Sequence, residues 1–261
     1  MIDSSDYTPR GSKRTPMASL EAILGESRRI VIFTGAGIST ESGIPDFRSP
    51  NGIWSKFTPV YYQDFVASED ARREAWRRKL IVDRDMRAAT PNQGHRAVAE
   101  LVHQNDVNCV ITQNIDGLHQ ASGIAEDRIV ELHGNSTYAT CLDCESRHEL
   151  EPILTDFSRD ETLPLCGNCG GIVKTATVSF GQSMPHAAMD RAETETLGCD
   201  LFVAIGSSLV VYPAAGFPVL AKQNGARLVI INREPTDLDG LADVVLNEEI
   251  GAALGDAVGV S

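Results

Sequence analysis

Five short stretches of the chain put chemically capable side chains directly after apolar runs. The β-branched and aromatic run Arg29–Thr34 stops at Gly35-Ala36-Gly37, after which Ile38-Ser39-Thr40 can open a helix. Small residues after a strand let backbone amides approach a pyrophosphate, whose charge a helix N-terminus stabilises. Taken alone, such a G-x-G turn is equally a packing device. Pro45-Asp46-Phe47-Arg48 then sets a rigid turn, an acid, a ring and a guanidinium side by side, which suits covering a bound nucleotide. Gln113-Asn114-Ile115-Asp116 follows the run Val107–Thr112 and could contact a ribose and a carboxamide; a strand-to-helix loop capped by Asn or Asp is the plainer reading. His133, in Glu131-Leu132-His133-Gly134, ends another short run, and an imidazole there could act as a general base near neutral pH. Gly206-Ser207-Ser208 and Asn232-Arg233-Glu234 close two more runs, with groups fit to bond phosphates or an adenosine ribose, or to serve as ordinary turn residues.

These loops work together only if one scaffold brings them to one edge. The apolar runs are short, doubly apolar and separated by helical stretches, a pattern that implies a parallel α/β sheet covered on both faces. Expected elements are a helix from Thr15-Pro16 to about Gly25, a helical insertion over Ser68 to about Ala89, a helix from near Asn92 through Val102, and strands at Val107–Thr112 and Ile129–Leu132. Further on come a strand at Thr177–Phe180, a helix from Pro185 to about Leu197, a strand at Leu201–Gly206, a helix from about Pro213 to Asn224 and a strand at Arg227–Asn232. In doubly wound sheets the carboxyl edge of the strands is where ligands bind.

Six cysteines are present, four of them as the pairs Cys141/Cys144 and Cys166/Cys169, which is zinc-ribbon spacing. Four thiolates suit a closed, structural, tetrahedral zinc. The polar segment Glu145–Pro164 between the pairs offers no evident core, so the metal is expected to organise it. Cys109 and Cys199 lie in or beside apolar runs and read as buried, inert thiols, and His95, His103, His119, His148 and His186 read as ordinary helix, loop or surface residues. With 23 Lys and Arg against 36 Asp and Glu, the net charge of -13 opposes non-specific binding to nucleic acid or anionic lipid. The apolar runs are too short to span a bilayer, and the polar opening Met1–Pro16 lacks the apolar core of a secretory signal, so a cytoplasmic protein is expected.

In order and in length, GAGISTESGIPDFR at Gly35–Arg48, QNID at Gln113–Asp116, ELHG at Glu131–Gly134 and the two C-x-x-C pairs resemble the sirtuins, of the bacterial type with a short zinc module; the likeness runs from about Leu20 to Ile250. The resemblance implies a Rossmann-like NAD-binding domain over 15–135 and 177–261, carrying a helical insertion at about 50–90. A zinc-ribbon module over 136–176 joins that insertion in a small lobe, and 1–14 forms a flexible tail. It implies NAD-dependent protein-lysine deacylation, with NAD as co-substrate and one structural zinc on Cys141, Cys144, Cys166 and Cys169. By the same likeness Gly35, Ala36, Gly37, Thr40, Asp46, Phe47, Arg48, Gln113, Gly206, Ser207, Ser208, Asn232, Arg233, Glu234 and Ile250 contact NAD, while Ile115 and Asp116 hold the nicotinamide carboxamide. His133 is the base, Asn114 and Ser39 position the ribose or a water, and an acyl-lysine peptide lies between Val178, Phe180 and Gly181 on one side and Val211 on the other.

The chain departs from the family pattern in reading Lys174-Thr175-Ala176 before the substrate segment and Gln182 for a common Glu. Where family members specialised for acidic acyl groups carry a Tyr and an Arg, the equivalents here are Trp76 and Lys79, which favours neutral acyl groups, acetyl first. Mono-ADP-ribosyl transfer and a catalytically silent NAD- or acyl-lysine-binding module are the competing functions.

Overall fold

The computed structural model describes residues 16–46, 52, 58–104 and 107–260, the side chains of 16–19 and 85 excepted. Phe47, Arg48, Thr15 and the expected tail therefore lie outside the described residues. The larger sheet has six strands: β1 (Ile30–Thr34), β2 (Val107–Thr112), β3 (Ile129–Glu131), β7 (Leu201–Ile205), β8 (Arg227–Ile231) and β9 (Val244–Leu246). Their order is β3-β2-β1-β7-β8-β9 and every pairing is parallel. This is the doubly wound arrangement, in which the chain starts in the middle and builds outwards in both directions, leaving a switch point between β1 and β7.

Successive strand residues face opposite sides, and the cores divide accordingly. Ile30 and Ile32 join Val203, Ile205, Val229 and Ile231 in a core covered by α1 (Pro16–Glu26), α4 (Gln93–Gln104) and α9 (Ile250–Val258). Val31 and Phe33 point the other way with Phe202, Leu228 and Ile230, under α7 (His186–Gly198) and α8 (Gly216–Gln223). Cys109 and Cys199 sit in that second core as free thiols whose pKa values burial pushes up to about 12 and about 11, so both stay protonated and inert.

A second, three-stranded antiparallel sheet runs β5-β4-β6, built from β4 (Gly134–Cys141), β5 (Arg147–Glu149) and β6 (Val173–Thr177). Two expectations change here. The strand expected at Thr177–Phe180 ends at Thr177 instead and belongs to this sheet, because residues 173–175 pair with 139–141 of β4. The segment expected to lack a core contains α6 (Leu150–Asp160), whose Leu150, Leu154 and Phe157 bury one stripe at helical spacing. Phe157 meets Trp76 of α3 (Glu69–Ala88) at 6.5 Å between ring centroids. Both join Ala139, Cys141, Cys166 and Val173 in a third core. Beside α3 lies the short α2 (Tyr62–Ala67), and α5 (Leu118–Ala121) follows the second candidate loop.

Candidate functional site

Every parallel strand from β2 across to β8 delivers a loop to one carboxyl edge. At the switch point the loops of β1 and β7 touch: Gly35 N–H donates to Ile205 O at 3.0 Å and Gly37 N–H to Gly206 O at 2.8 Å. A Cβ on Gly35 or Gly37 would stand 2.7 Å from Gly206 backbone atoms, so only glycine permits this approach. The loop then turns into a short 3-10 segment, Ala36–Ser42. Over these loops opens a cleft of about 630 Å³. Gly35, Ala36, Gly37, Thr40, Asp46, Gln113, Asn114, Ile115, His133, Gly206, Ser207, Ser208, Asn232, Arg233, Glu234 and Ile250 line it, together with Val178, Phe180, Gly181 and Val211. Thr177, Met184, Pro213, Glu248 and Glu249 line it too, and no motif marked them out. They arrive from β6, the lead-in to α7, the β7–α8 connection and the β9–α9 connection, through tertiary packing rather than local pattern.

Ser39 and Asp116 stand just behind the lining. Ser39 Oγ is buried and donates to Asp116 Oδ2 at 2.7 Å, while Asn114 Nδ2 donates to Ser39 Oγ at 3.2 Å and to Gly35 O at 3.1 Å. Gln113 Nε2 donates to Ser207 Oγ at 2.8 Å, joining the loops of β2 and β7. His133 Nδ1 lies 3.0 Å from the Gln113 carbonyl oxygen. A carbonyl only accepts, so Nδ1 carries the proton and Nε2 is left as the basic nitrogen. Burial lowers the His133 pKa, only partly offset by that backbone bond, and favours the neutral imidazole a base requires. Segment 178–181 connects to the same residue, since Val178 N–H donates to His133 O at 2.8 Å.

Trp76 and Lys79 do not reach the cleft. Trp76 is a core residue, and Lys79 Nζ pairs with Asp83 at 2.8 Å and donates to Ser136 O at 2.7 Å. Gln182 accepts the Ser179 N–H at 3.1 Å, a turn-closing bond that a Glu carboxylate would also accept. Lys174 is buried, donates to the Thr175 and Thr177 carbonyls at the end of β6, and has its pKa lowered to about 8 by that burial. His95 and His119, expected to be unremarkable, are both buried, with ring centroids 5.2 Å apart.

The sulfurs of Cys141, Cys144, Cys166 and Cys169 all lie within 4.8 Å of one another. Three of the separations are 3.4, 3.5 and 3.6 Å. A zinc bound at about 2.3 Å by four thiolates spaces its sulfurs by about 3.8 Å, so this set fits one tetrahedral ion. The Ser146 hydroxyl lies 3.2 Å from both Cys144 and Cys166 and lowers both thiol pKa values. No open position remains among four thiolates, which makes the site structural.

A parallel sheet with its switch-point cleft, flanked by a small four-cysteine lobe, defines a Rossmann-like nucleotide-binding protein with a zinc ribbon. Residues 35–213 match the model of the Sir2 family, and the chain belongs to that family. An NAD-dependent protein deacetylase of Rhodopseudomonas palustris is 57% identical over 91% of this chain and 94% of its own length. An NAD-dependent protein deacetylase 1 of Bradyrhizobium diazoefficiens is 54% identical over 94% and 96%. A solved Sir2 structure holding a deacetylated p53 peptide and 3'-O-acetyl ADP ribose superimposes with a TM-score of 0.85 at 36% identity, covering 94% of this chain and 99% of that one. Among the described residues no helix is long and apolar enough to cross a membrane.

Proposed function

We propose that this protein removes acyl groups from protein lysines with NAD as co-substrate, releasing nicotinamide and O-acyl-ADP-ribose. The observation that carries this reading is His133, set in the cleft between the nucleotide loops and segment 178–181, with Nε2 left basic by the Gln113 carbonyl. In this role His133 takes a proton from a ribose hydroxyl, whose oxygen then receives the acyl group. Gly35, Ala36, Gly37, Thr40, Ser207 and Ser208 hold the phosphates, and Asn232, Arg233 and Glu234 hold the adenosine ribose, with Asp46, Phe47, Arg48, Gly206, Gln113 and Ile250 completing the NAD site. Ile115 and Asp116 hold the carboxamide, and Asn114 and Ser39 order the nicotinamide ribose. The fit rests on the donor set, since hydroxyls, amides, a guanidinium and a carboxylate succeed one another along one edge.

The acyl-lysine peptide lies between Val178, Phe180 and Gly181 and the Val211 side of the cleft, as an added strand. Neutral acyl groups, acetyl first, are the substrates, because Lys79 is already engaged with Asp83 and Ser136 and brings no cation to the cleft. The four cysteines hold one structural zinc in the module 136–176, and 15–135 with 177–261 forms the NAD-binding domain. A cytoplasmic setting suits free thiols kept for a metal.

The test is to incubate the purified protein with NAD and either acetyl-lysine or succinyl-lysine peptide, and to identify the products by mass. The expected result is deacetylated peptide with nicotinamide and O-acetyl-ADP-ribose, and at least ten-fold slower turnover of the succinyl peptide. ADP-ribose attached covalently to protein, with the peptide still acetylated, would overturn the reading.

A further inference from the structure

Beneath the cleft runs a circuit of buried and part-buried hydrogen bonds, in which Thr34, Thr112 and His119 have no role above. Thr34 ends β1 and Thr112 ends β2, directly opposite one another in register. Thr34 Oγ1 donates to Thr112 Oγ1 at 2.8 Å and lies 2.8 Å from His119 Nε2 on α5. Thr34 has one proton and uses it on Thr112, so the imidazole is the donor, through Nε2–H. Thr112 Oγ1 also accepts the backbone N–H of Asn114 at 3.0 Å. From Asn114 the path continues through Nδ2 to Ser39 Oγ and from Ser39 to Asp116 Oδ2. Asp116 Oδ1 accepts the N–H of Leu118 at 2.9 Å, one residue before His119, and the circuit closes.

Of these groups Thr34, Thr112, His119, Ser39 and Asn114 are at most 6% exposed. His119 is an expensive residue for such a place. Its Nδ1 is buried without a hydrogen-bond partner among the described residues, and its ring centroid lies 5.2 Å from that of His95. An unpartnered buried polar atom is destabilising, a cost that a leucine of similar bulk would avoid. Burial, with the neighbouring His95 charge second, lowers the His119 pKa to about 3, so the ring is neutral and its one proton stays fixed on the Thr34 side. What the imidazole supplies that an apolar side chain cannot is the Nε2–H donor.

We propose that His119 is a positioning residue for the deacylation reaction: through Thr34 and Thr112 its Nε2–H fixes the backbone amide of Asn114, and so keeps the Asn114 and Asp116 side chains aligned with the cleft. Thr34 and Thr112 are parts of the same device and touch no substrate. The proposal rests on the deacylase reading, so wild-type protein is assayed alongside each variant.

The decisive comparison is Thr34→Val against Thr34→Ser, since the first keeps the shape without the hydroxyl and the second keeps the hydroxyl. Turnover of acetyl-lysine peptide and nicotinamide release are measured, with melting temperature as the control for folding. Thr34→Val is expected to lower kcat at least ten-fold with peptide KM within two-fold, and Thr34→Ser to stay within three-fold of wild type. His119→Leu is expected to match Thr34→Val, His119→Gln to recover most of the loss through its amide donor, and the double variant Thr34→Val/His119→Leu to be no slower than either single one. Should Thr34→Val fail to fold, Thr112→Val and Thr112→Ser give the same comparison. A folded valine variant within two-fold of wild type, a serine variant as slow as valine, or multiplicative losses in the double variant would overturn the proposal. An inactive wild type would overturn the deacylase reading with it, whereas an active wild type with indifferent variants overturns the positioning role alone.

Discussion

The basicity of His133 Nε2 depends on a backbone carbonyl, so it survives changes to the side chains around it. Because burial holds the folded pKa below the usual 6.5, the neutral base prevails at pH 7 and is lost only as pH falls through that lowered value. The profile of kcat/KM against pH is therefore expected to plateau near neutrality with an acid limb whose midpoint lies below 6.5; a limb above 6.5 would contradict the assignment. His133, Gln113 and Asn114 were legible in the sequence because each follows an apolar run, and strand ends are read from local pattern. His119 was not, since a histidine in a four-residue helix shows nothing locally of its burial. Its partner Thr34 stands 85 residues away, brought there by the parallel register of β1 and β2.

Single elements hold the site through a few contacts that permit little substitution. Gly134, directly after His133, has φ +72°, and a Cβ there would stand 2.0 Å from Ala176 O of β6. Gly134→Ala forces a left-handed conformation at roughly 1–2 kcal/mol and pushes β4 from β6, so a fall in melting temperature with at least ten-fold loss of turnover is expected. Activity and melting temperature both within error of wild type would contradict this. For the zinc lobe, α6 adds an apolar core beside the metal, and the two contributions separate by mutation. Phe157→Ala is expected to cost about 3–5 kcal/mol, as for large buried aromatics, and to retain zinc. Cys166→Ser is expected to lose the metal, and metal analysis with thermal unfolding distinguishes them. The stripe Leu150, Leu154, Phe157 was hidden in the sequence because a few apolar residues in a mostly polar stretch make a weak signal, and their partner Trp76 comes from another element. Five of the six parallel strands were readable because both their faces are apolar. β4, β9 and α9 were not, being short, polar or small-residue segments given order by their neighbours.

Across the whole molecule, the two halves of the doubly wound sheet meet under the cleft, and the buried pair His95 and His119 lies beside the ends of β1 and β2. Burial lowers His95 to about 4 and His119 to about 3, below the ordinary histidine value of 6.5 in an unfolded chain. Above pH 6.5 neither state binds these protons. As pH falls from 6.5 towards 4 the unfolded chain takes them up and the folded chain does not, so stability declines on acidification, by up to about 1.4 kcal/mol per pH unit for each ring. Asp116 faces His95 and moderates its shift. Melting temperature is expected to fall more steeply between pH 6.5 and 4 in wild type than in His119→Gln, and equal slopes would contradict it.

The order of strands, the cleft at their switch point and the neutral imidazole within it support the proposed reaction, in which each lysine freed consumes one NAD. The most direct measurement is the stoichiometry of nicotinamide, O-acetyl-ADP-ribose and deacetylated peptide in one reaction mixture, for wild type and for His133→Ala. The account predicts one to one to one for wild type, with acyl transfer in the variant reduced at least a hundred-fold while the protein remains folded and zinc-loaded. Deacetylation without matching nicotinamide release, or a His133→Ala variant that turns over like wild type, would contradict it.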